Sequence, residues 1–122
     1  MKTKIEKIAE CKSMKIMEEA GQIIKQGGLV AFRTETVYGL GANALDEEAA
    51  RKTYTAKGRP SDNPLIVHIA EKSALEEIVE ELPEETKALT DRFCPGPLTL
   101  ILKKNARVPY GTTGGLDTVA VR

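Results

Sequence analysis

Four short apolar runs, at residues 29–32, 65–69, 98–102 and 118–122, are separated by stretches whose apolar residues recur at helical spacing. That alternation predicts an α/β domain: a twisted, largely parallel or mixed sheet with flanking helices. Between residues 14 and 26, Ile16, Met17, Ala20, Ile23 and Ile24 share one helical face. Ser13 is placed to cap that helix, and Gly27-Gly28 to end it in a left-handed turn. The 29–32 run then reads as a buried strand, and 33–44, rich in Thr and Gly, as an irregular loop. Asp46, followed by Glu47 and Glu48, predicts a capped helix that carries Ala49, Ala50, Thr53 and Tyr54 and stops before Pro60. Residues 57–64 read as a polar turn. Ser73 and Glu76 have capping-box spacing ahead of Leu75, Ile78, Val79 and Leu82. A further helix is expected over 83–93, with Pro83 at its first position, and a Gly-rich loop holding Gly111, Gly114 and Gly115 precedes the last run.

Composition narrows the class. The 122 residues suit one domain spanning 1–122, and 41% apolar with 30% charged residues is a globular profile. Eighteen basic residues balance eighteen acidic ones, so no global basic field announces a nucleic-acid partner. Cys11 and Cys94 are far apart and offer neither metal-ligand spacing nor a disulfide framework, which suits a reducing compartment. With His68 the single histidine, a His-based metal site is excluded. Lys2, Lys4, Glu6 and Lys7 break up any apolar leader, and no run approaches a membrane span. The expectation is cytoplasmic, with no membrane partner.

Chemistry concentrates in three places. The first loop, Thr34-Glu35-Thr36-Val37-Tyr38-Gly39-Leu40-Gly41, has hydroxyls and glycines that would let a small polar ligand approach closely, although taken alone such a loop is more often a hydrogen-bonded connection. Lys57 and Arg59, with Ser61 and Asn63 beyond, pair a point charge with a guanidinium fork, a combination suited to phosphate; a solvated basic turn reads as well. Pro60 and Pro64 would stiffen that segment. His68 should face away from Val67, where a lone histidine is more often a hydrogen-bonded core residue than a catalyst. Arg122 could clamp a carboxylate or act as an edge-strand charge against aggregation.

The strings Thr34 to Gly41, Lys57-Gly58-Arg59-Pro60 with Asn63-Pro64-Leu65, Pro95-Gly96-Pro97-Leu98-Thr99 and Thr118-Val119-Ala120-Val121-Arg122, in this order and spacing, resemble the YrdC-like threonylcarbamoyl-AMP synthase family. The resemblance covers nearly the whole chain. It implies an ATP-using nucleotidyltransferase that makes threonylcarbamoyl-AMP from L-threonine, bicarbonate and ATP and releases pyrophosphate. Partner transferase proteins would pass the threonylcarbamoyl group to an adenosine beside the tRNA anticodon, with tRNA contact a further implication. Carried over, Thr36, His68 and Arg122 would bind L-threonine, and Arg59, Asn63 and Thr118 would bind ATP. Lys57 and Arg59 would be catalytic, Tyr38 and Ser61 weaker lining candidates, and Mg2+ would arrive with ATP. The chain departs from the family at Arg33, where proline is usual, and at Cys94, where an aromatic residue commonly precedes Pro-Gly-Pro-Leu. The family's later Ser-Ala-Asn motif falls beyond Arg122, so the expectation is an N-terminal part of a truncated domain. Three other readings stand beside it. One is a non-catalytic RNA-binding module, disfavoured by neutral charge and few aromatics (Phe32, Tyr38, Tyr54, Phe93 and Tyr110). Another is the carbamoyl-adenylating domain of hydrogenase maturation, whose Cys-x-x-Cys zinc fingers are missing here. The third is an inactive fragment.

Overall fold

The computed structural model describes residues 2–8 and 13–122, which fall into two compact units, Met1–Asn43 and Ala44–Arg122. The first contains α1 (Ser13–Lys25), β1 (Val30–Arg33) and β2 (Tyr38–Gly41). Glycine ends α1 as expected: Gly27, at φ 83°, donates to the Ile24 carbonyl at 3.0 Å and Gly28 to that of Ile23 at 2.9 Å. The Ser13 side chain, read as the cap, and Cys11 lie outside the described residues.

Two expectations for this unit change. Residues 38–41 are a strand rather than loop, paired antiparallel with β1 so that Phe32 faces Gly39 and Arg33 faces Tyr38. The glycines serve that pairing, since a Cβ on Gly39 would meet the Phe32 ring at 2.9 Å and one on Gly41 would meet it at 3.1 Å. Nor is the 29–32 run buried: Ala31, Phe32 and Arg33 are exposed. A two-stranded sheet carries too little apolar surface to bury both its faces.

The second unit opens with α2 (Glu47–Lys57), whose cap is the one the sequence specifies. Asp46 stays extended at φ −113° and ψ 111°, and its carboxylate accepts from the amides of Glu48 at 3.0 Å and Ala49 at 3.3 Å. Ala49, Ala50, Thr53 and Tyr54 lie on it as expected, and all four are buried. Asp46→Ala should therefore lower unfolding free energy by about 1 kcal/mol, read from urea denaturation. An unchanged midpoint would show that the cap contributes nothing.

The remaining elements are β3 (Ile66–Val67), α3 (Ser73–Glu76), α4 (Glu84–Phe93), β4 (Leu100–Lys103), α5 (Tyr110–Thr113) and β5 (Thr118–Val121). The strands form one mixed sheet in the order β3-β5-β4, with β3 parallel and β4 antiparallel to β5. This is the α/β architecture expected, with β5 in the centre and not at an edge. Its alternation divides the sheet cleanly. Val67, Val119 and Val121 join Leu75, Ile78, Val79 and Val108 in the core. Ile66, Thr118 and Arg122, out of phase with them, are exposed.

Several boundaries shift. The 65–69 strand shortens to Ile66–Val67, and the 98–102 strand moves to Leu100–Lys103. The helix expected through Leu82 stops at Glu76, and no capping box forms: Lys72 holds the N-cap position, while the Ser73 hydroxyl donates to Glu71 at 3.5 Å. Tertiary pairing wins over local helix preference there. Asn105 donates to the Ile78 carbonyl at 3.0 Å, Glu80 donates to that of Lys103 at 2.9 Å, and Val79 bridges Lys104. Pro83 precedes α4 as its N-cap residue, and the Gly-rich loop contains the helical turn α5, with Thr112 and Thr113 buried. Among the described residues, no helix is long and apolar enough to cross a membrane.

Candidate active site

The end of α2 aims the basic pair. Gly58, at φ 61°, takes the left-handed cap position and donates to the Thr55 carbonyl at 3.3 Å, while Arg59 donates to that of Tyr54 at 3.1 Å. Lys57 is left exposed in the last helical turn, with no ion pair among the described residues. Arg59 turns half-buried across the following loop, where Nη2 donates to the Pro64 carbonyl at 3.0 Å. Its Nε is buried with no hydrogen-bond partner among the described residues.

The loop itself is fixed from both sides. The Asn63 amide donates to the Pro60 carbonyl at 3.2 Å, closing a turn around Ser61 and Asp62. From α2 the Tyr54 hydroxyl donates to the Asn63 carbonyl at 2.9 Å. Burial pushes the Tyr54 phenol above its ordinary range; the Arg59 guanidinium pulls it back in part, and Asp62 adds to the rise. The hydroxyl thus stays protonated as a donor. On the far side Leu65 donates to the Thr112 carbonyl of α5 at 3.0 Å. Asn63 and Ser61 are exposed on this braced loop.

His68 and Arg122 are brought together by the sheet. Arg122 donates its amide to the Val67 carbonyl at 2.8 Å and accepts from the Ile69 amide at 3.0 Å. In a parallel ladder those two bonds place Arg122 opposite His68, one step beyond the Val67–Val121 pair. Both residues are exposed, so His68 is not the satisfied core residue its apolar surroundings suggest, and the central position of β5 removes the edge-charge reading of Arg122. The Arg122 Nε donates to Thr99 Oγ1 at 2.9 Å, a contact that sequence reasoning missed although Thr99 closes one of the motifs it singled out.

Thr118 starts the same strand and shares the face of Arg122, two alternations away. The residue before it is anchored twice: Asp117 accepts at its carbonyl from Lys104 at 3.0 Å and at its carboxylate from the Tyr110 hydroxyl at 2.8 Å. That hydrogen bond to Asp117 raises the Tyr110 phenol. Thr36 and Tyr38 belong to the hairpin of the first unit and are exposed there. The Thr34 hydroxyl organises that turn, donating to the Val37 carbonyl and accepting from the amides of Thr36 at 3.4 Å and Val37 at 3.2 Å.

A cleft of about 670 Å³ opens between α2 and α5 beside Arg59 and Ser61, with Arg51, Tyr54 and Tyr110 among its walls. A second, of about 610 Å³, is lined by Lys103, Lys104 and Asp117. Neither takes in His68, Thr118 or Arg122, which are exposed along one face of the sheet. The adjacent His68 and Arg122 of that face, not the cleft volumes, mark the candidate site. Among the described residues, no group of three or more His, Cys, Asp or Glu side chains is arranged to hold a metal ion.

A family model labelled Sua5_yciO_yrdC and described as Telomere recombination matches residues 22–122. The threonylcarbamoyl-AMP synthase of Pyrococcus abyssi is 62% identical over 103 residues, covering 84% of this chain and 30% of that protein. The threonylcarbamoyl-AMP synthase of Bacillus subtilis is 56% identical over 106 residues, covering 85% of this chain and 30% of that one. The crystal structure of P. abyssi Sua5 complexed with L-threonine superposes with a TM-score of 0.83, at 60% identity over 96% of this chain and 33% of that chain. The chain thus spans about 30% of the length of these curated relatives.

Proposed function

The chain belongs to the Sua5/YciO/YrdC family, and from that premise we propose that it takes part in threonylcarbamoyl-AMP synthesis, binding L-threonine and ATP for transfer of an adenylyl group. The observation that carries this reading is the cross-strand pair His68–Arg122 on the open face of the central strand. An arginine fork binds a carboxylate through two parallel hydrogen bonds, and a neighbouring imidazole adds a polar contact for the rest of an amino acid.

Thr118 lies four residues along β5 from Arg122, about 13 Å at strand rise. That spacing separates an amino-acid carboxylate at one end from a nucleotide at the other. Asn63 and Arg59 would meet the nucleotide, with Ser61 as lining. The half-buried Arg59 guanidinium, held by the Pro64 carbonyl, supports an anion there, since a fixed fork loses less freedom on meeting a phosphate.

In the reaction, the threonine amine and bicarbonate condense to a carbamate with loss of water. A carbamate oxygen attacks the α-phosphorus of ATP, the bond to the bridging oxygen breaks, and pyrophosphate leaves with the electron pair. Lys57 and Arg59 neutralise charge that builds on the phosphates, and the Pro64 carbonyl holds Arg59 in place beforehand. Magnesium reaching the site with ATP would take its ligands from phosphates and water, as Mg2+ commonly does. The product would pass to partner transferase proteins acting on tRNA in the cytoplasm.

Pyrophosphate release from Mg-ATP, with L-threonine and bicarbonate omitted in turn, tests this. Release that requires both is expected. Folded protein that releases none, or that releases it without L-threonine, would overturn the proposal for this chain.

A further inference from the structure

We propose that Thr99 is a positioning residue for Arg122, holding the guanidinium by its Nε–H so that both outer nitrogens present to an amino-acid carboxylate. The inference rests on the reading of Arg122 as the L-threonine carboxylate clamp. It explains the last residue of Pro95-Gly96-Pro97-Leu98-Thr99, which the proposed reaction does not otherwise use.

The geometry is set by the sheet. Leu100 pairs with Val121 across the antiparallel β4–β5 ladder, and one further step of that register brings Thr99 opposite Arg122. His68 stands opposite Arg122 on the parallel side. Thr99, Arg122 and His68 therefore form a row across three strands, with the arginine in the middle. Residues directly opposite on neighbouring strands have Cβ atoms about 5 Å apart, within reach of a hydroxyl and a folded-back guanidinium. The contact is made, with Arg122 Nε donating to Thr99 Oγ1 at 2.9 Å.

Its consequence follows from the donor set of arginine. The guanidinium has five N–H groups: one on Nε and two on each outer nitrogen. With Nε occupied by Thr99, the fork between the outer nitrogens is the free edge, and that edge fits a carboxylate with two parallel bonds. An exposed arginine otherwise samples many rotamers, and ordering one on binding opposes affinity. Threonine suits the role because branching at Cβ restricts χ1 and so fixes the direction of its oxygen. Thr99 is only half-buried and Arg122 is exposed, so the bond contributes little to folding. Its effect belongs to orientation.

The experiment compares wild type, Thr99→Val and Thr99→Ser by calorimetric titration with L-threonine and, separately, with ATP. The Arg122 Nε–H resonance is followed alongside by 15N-edited NMR. Valine keeps the shape and removes the oxygen; serine keeps the oxygen. Thr99→Val should weaken L-threonine binding about tenfold, a loss in line with one hydrogen bond to a charged group. Thr99→Ser should stay within about twofold of wild type, with ATP affinity and melting temperature unchanged in both variants. The Nε–H signal should exchange slowly in wild type and Thr99→Ser and be lost in Thr99→Val. Equal L-threonine affinity for valine and wild type, or an Nε–H signal indifferent to residue 99, would overturn the proposal. Wild type that binds no L-threonine while its Nε–H signal still depends on Thr99 would instead sink the substrate reading and leave the Thr99–Arg122 pair standing.

Discussion

Arg122→Ala is expected to weaken L-threonine binding by at least about 100-fold while leaving the fold in place. The size follows from what the side chain would supply: two charge-assisted hydrogen bonds to one carboxylate, each among the stronger kind available to a protein. The separation from stability follows from where the residue is anchored. Its amide donates to Val67 and its carbonyl accepts from Ile69, and both bonds survive truncation of an exposed side chain. Parallel pairing of β3 with β5 should therefore persist, and the melting temperature should move little. Arg122→Lys should rescue poorly, because a point charge on a flexible stem cannot reproduce a fork held at Nε by Thr99. Calorimetric titration with L-threonine, with ATP as the control ligand, measures the effect. Alanine that binds L-threonine as wild type does would show that the carboxylate is held elsewhere.

The sequence was most legible where local chemistry acts alone. Asp46 starts α2 and Gly27 ends α1 as their residue types require, because a carboxylate one position ahead of a helix and a glycine just past one satisfy groups within a few residues. The valines of β5 alternate correctly into the core for the same local reason. Legibility failed where a distant segment decides. Ile78, Val79 and Glu80 have helical spacing, yet their backbone pairs with residues 103–105, and nothing near position 78 announces that partner. Gly39 and Gly41 suggested a ligand loop, when the group approaching their backbone is the Phe32 ring from the neighbouring strand. The candidate site divides along the same line. Arg59, Asn63, His68, Thr118 and Arg122 were legible as residue types in motifs. What joins His68, Arg122 and Thr99 is register, and register depends on strand pairings that no short window contains. Tyr54 was read as a helix residue, and its hydroxyl bond to the loop is likewise invisible without the fold.

The braced loop gives the second large effect, at a glycine some fifty residues away from it in sequence. Gly114 caps α5 at φ 64°, and a Cβ there would lie 2.7 Å from the Asp62 carbonyl oxygen and 3.2 Å from the Pro64 nitrogen. Both are backbone atoms, held by the Pro60–Asn63 turn and by Tyr54 on the other side, so neither can swing away as a flexible side chain would. Gly58 offers the comparison: its φ is 61°, nearly the same, but nothing lies within 4 Å of a Cβ added to it. Gly58→Ala should thus destabilise by about 1 kcal/mol, the conformational part alone. Gly114→Ala should destabilise by about 2–4 kcal/mol, because displacement of packed backbone is added to the same strain. Urea denaturation of the two variants isolates the contact term as their difference. The functional readout separates them further. Displacing residues 62–64 moves the carbonyl that holds Arg59, so Gly114→Ala should lose ATP affinity under conditions where it is still folded, and Gly58→Ala should lose less. Equal destabilisation by the two variants would mean that the loop yields to the added methyl. The rigidity invoked for Arg59 and Asn63 would then be lost with it.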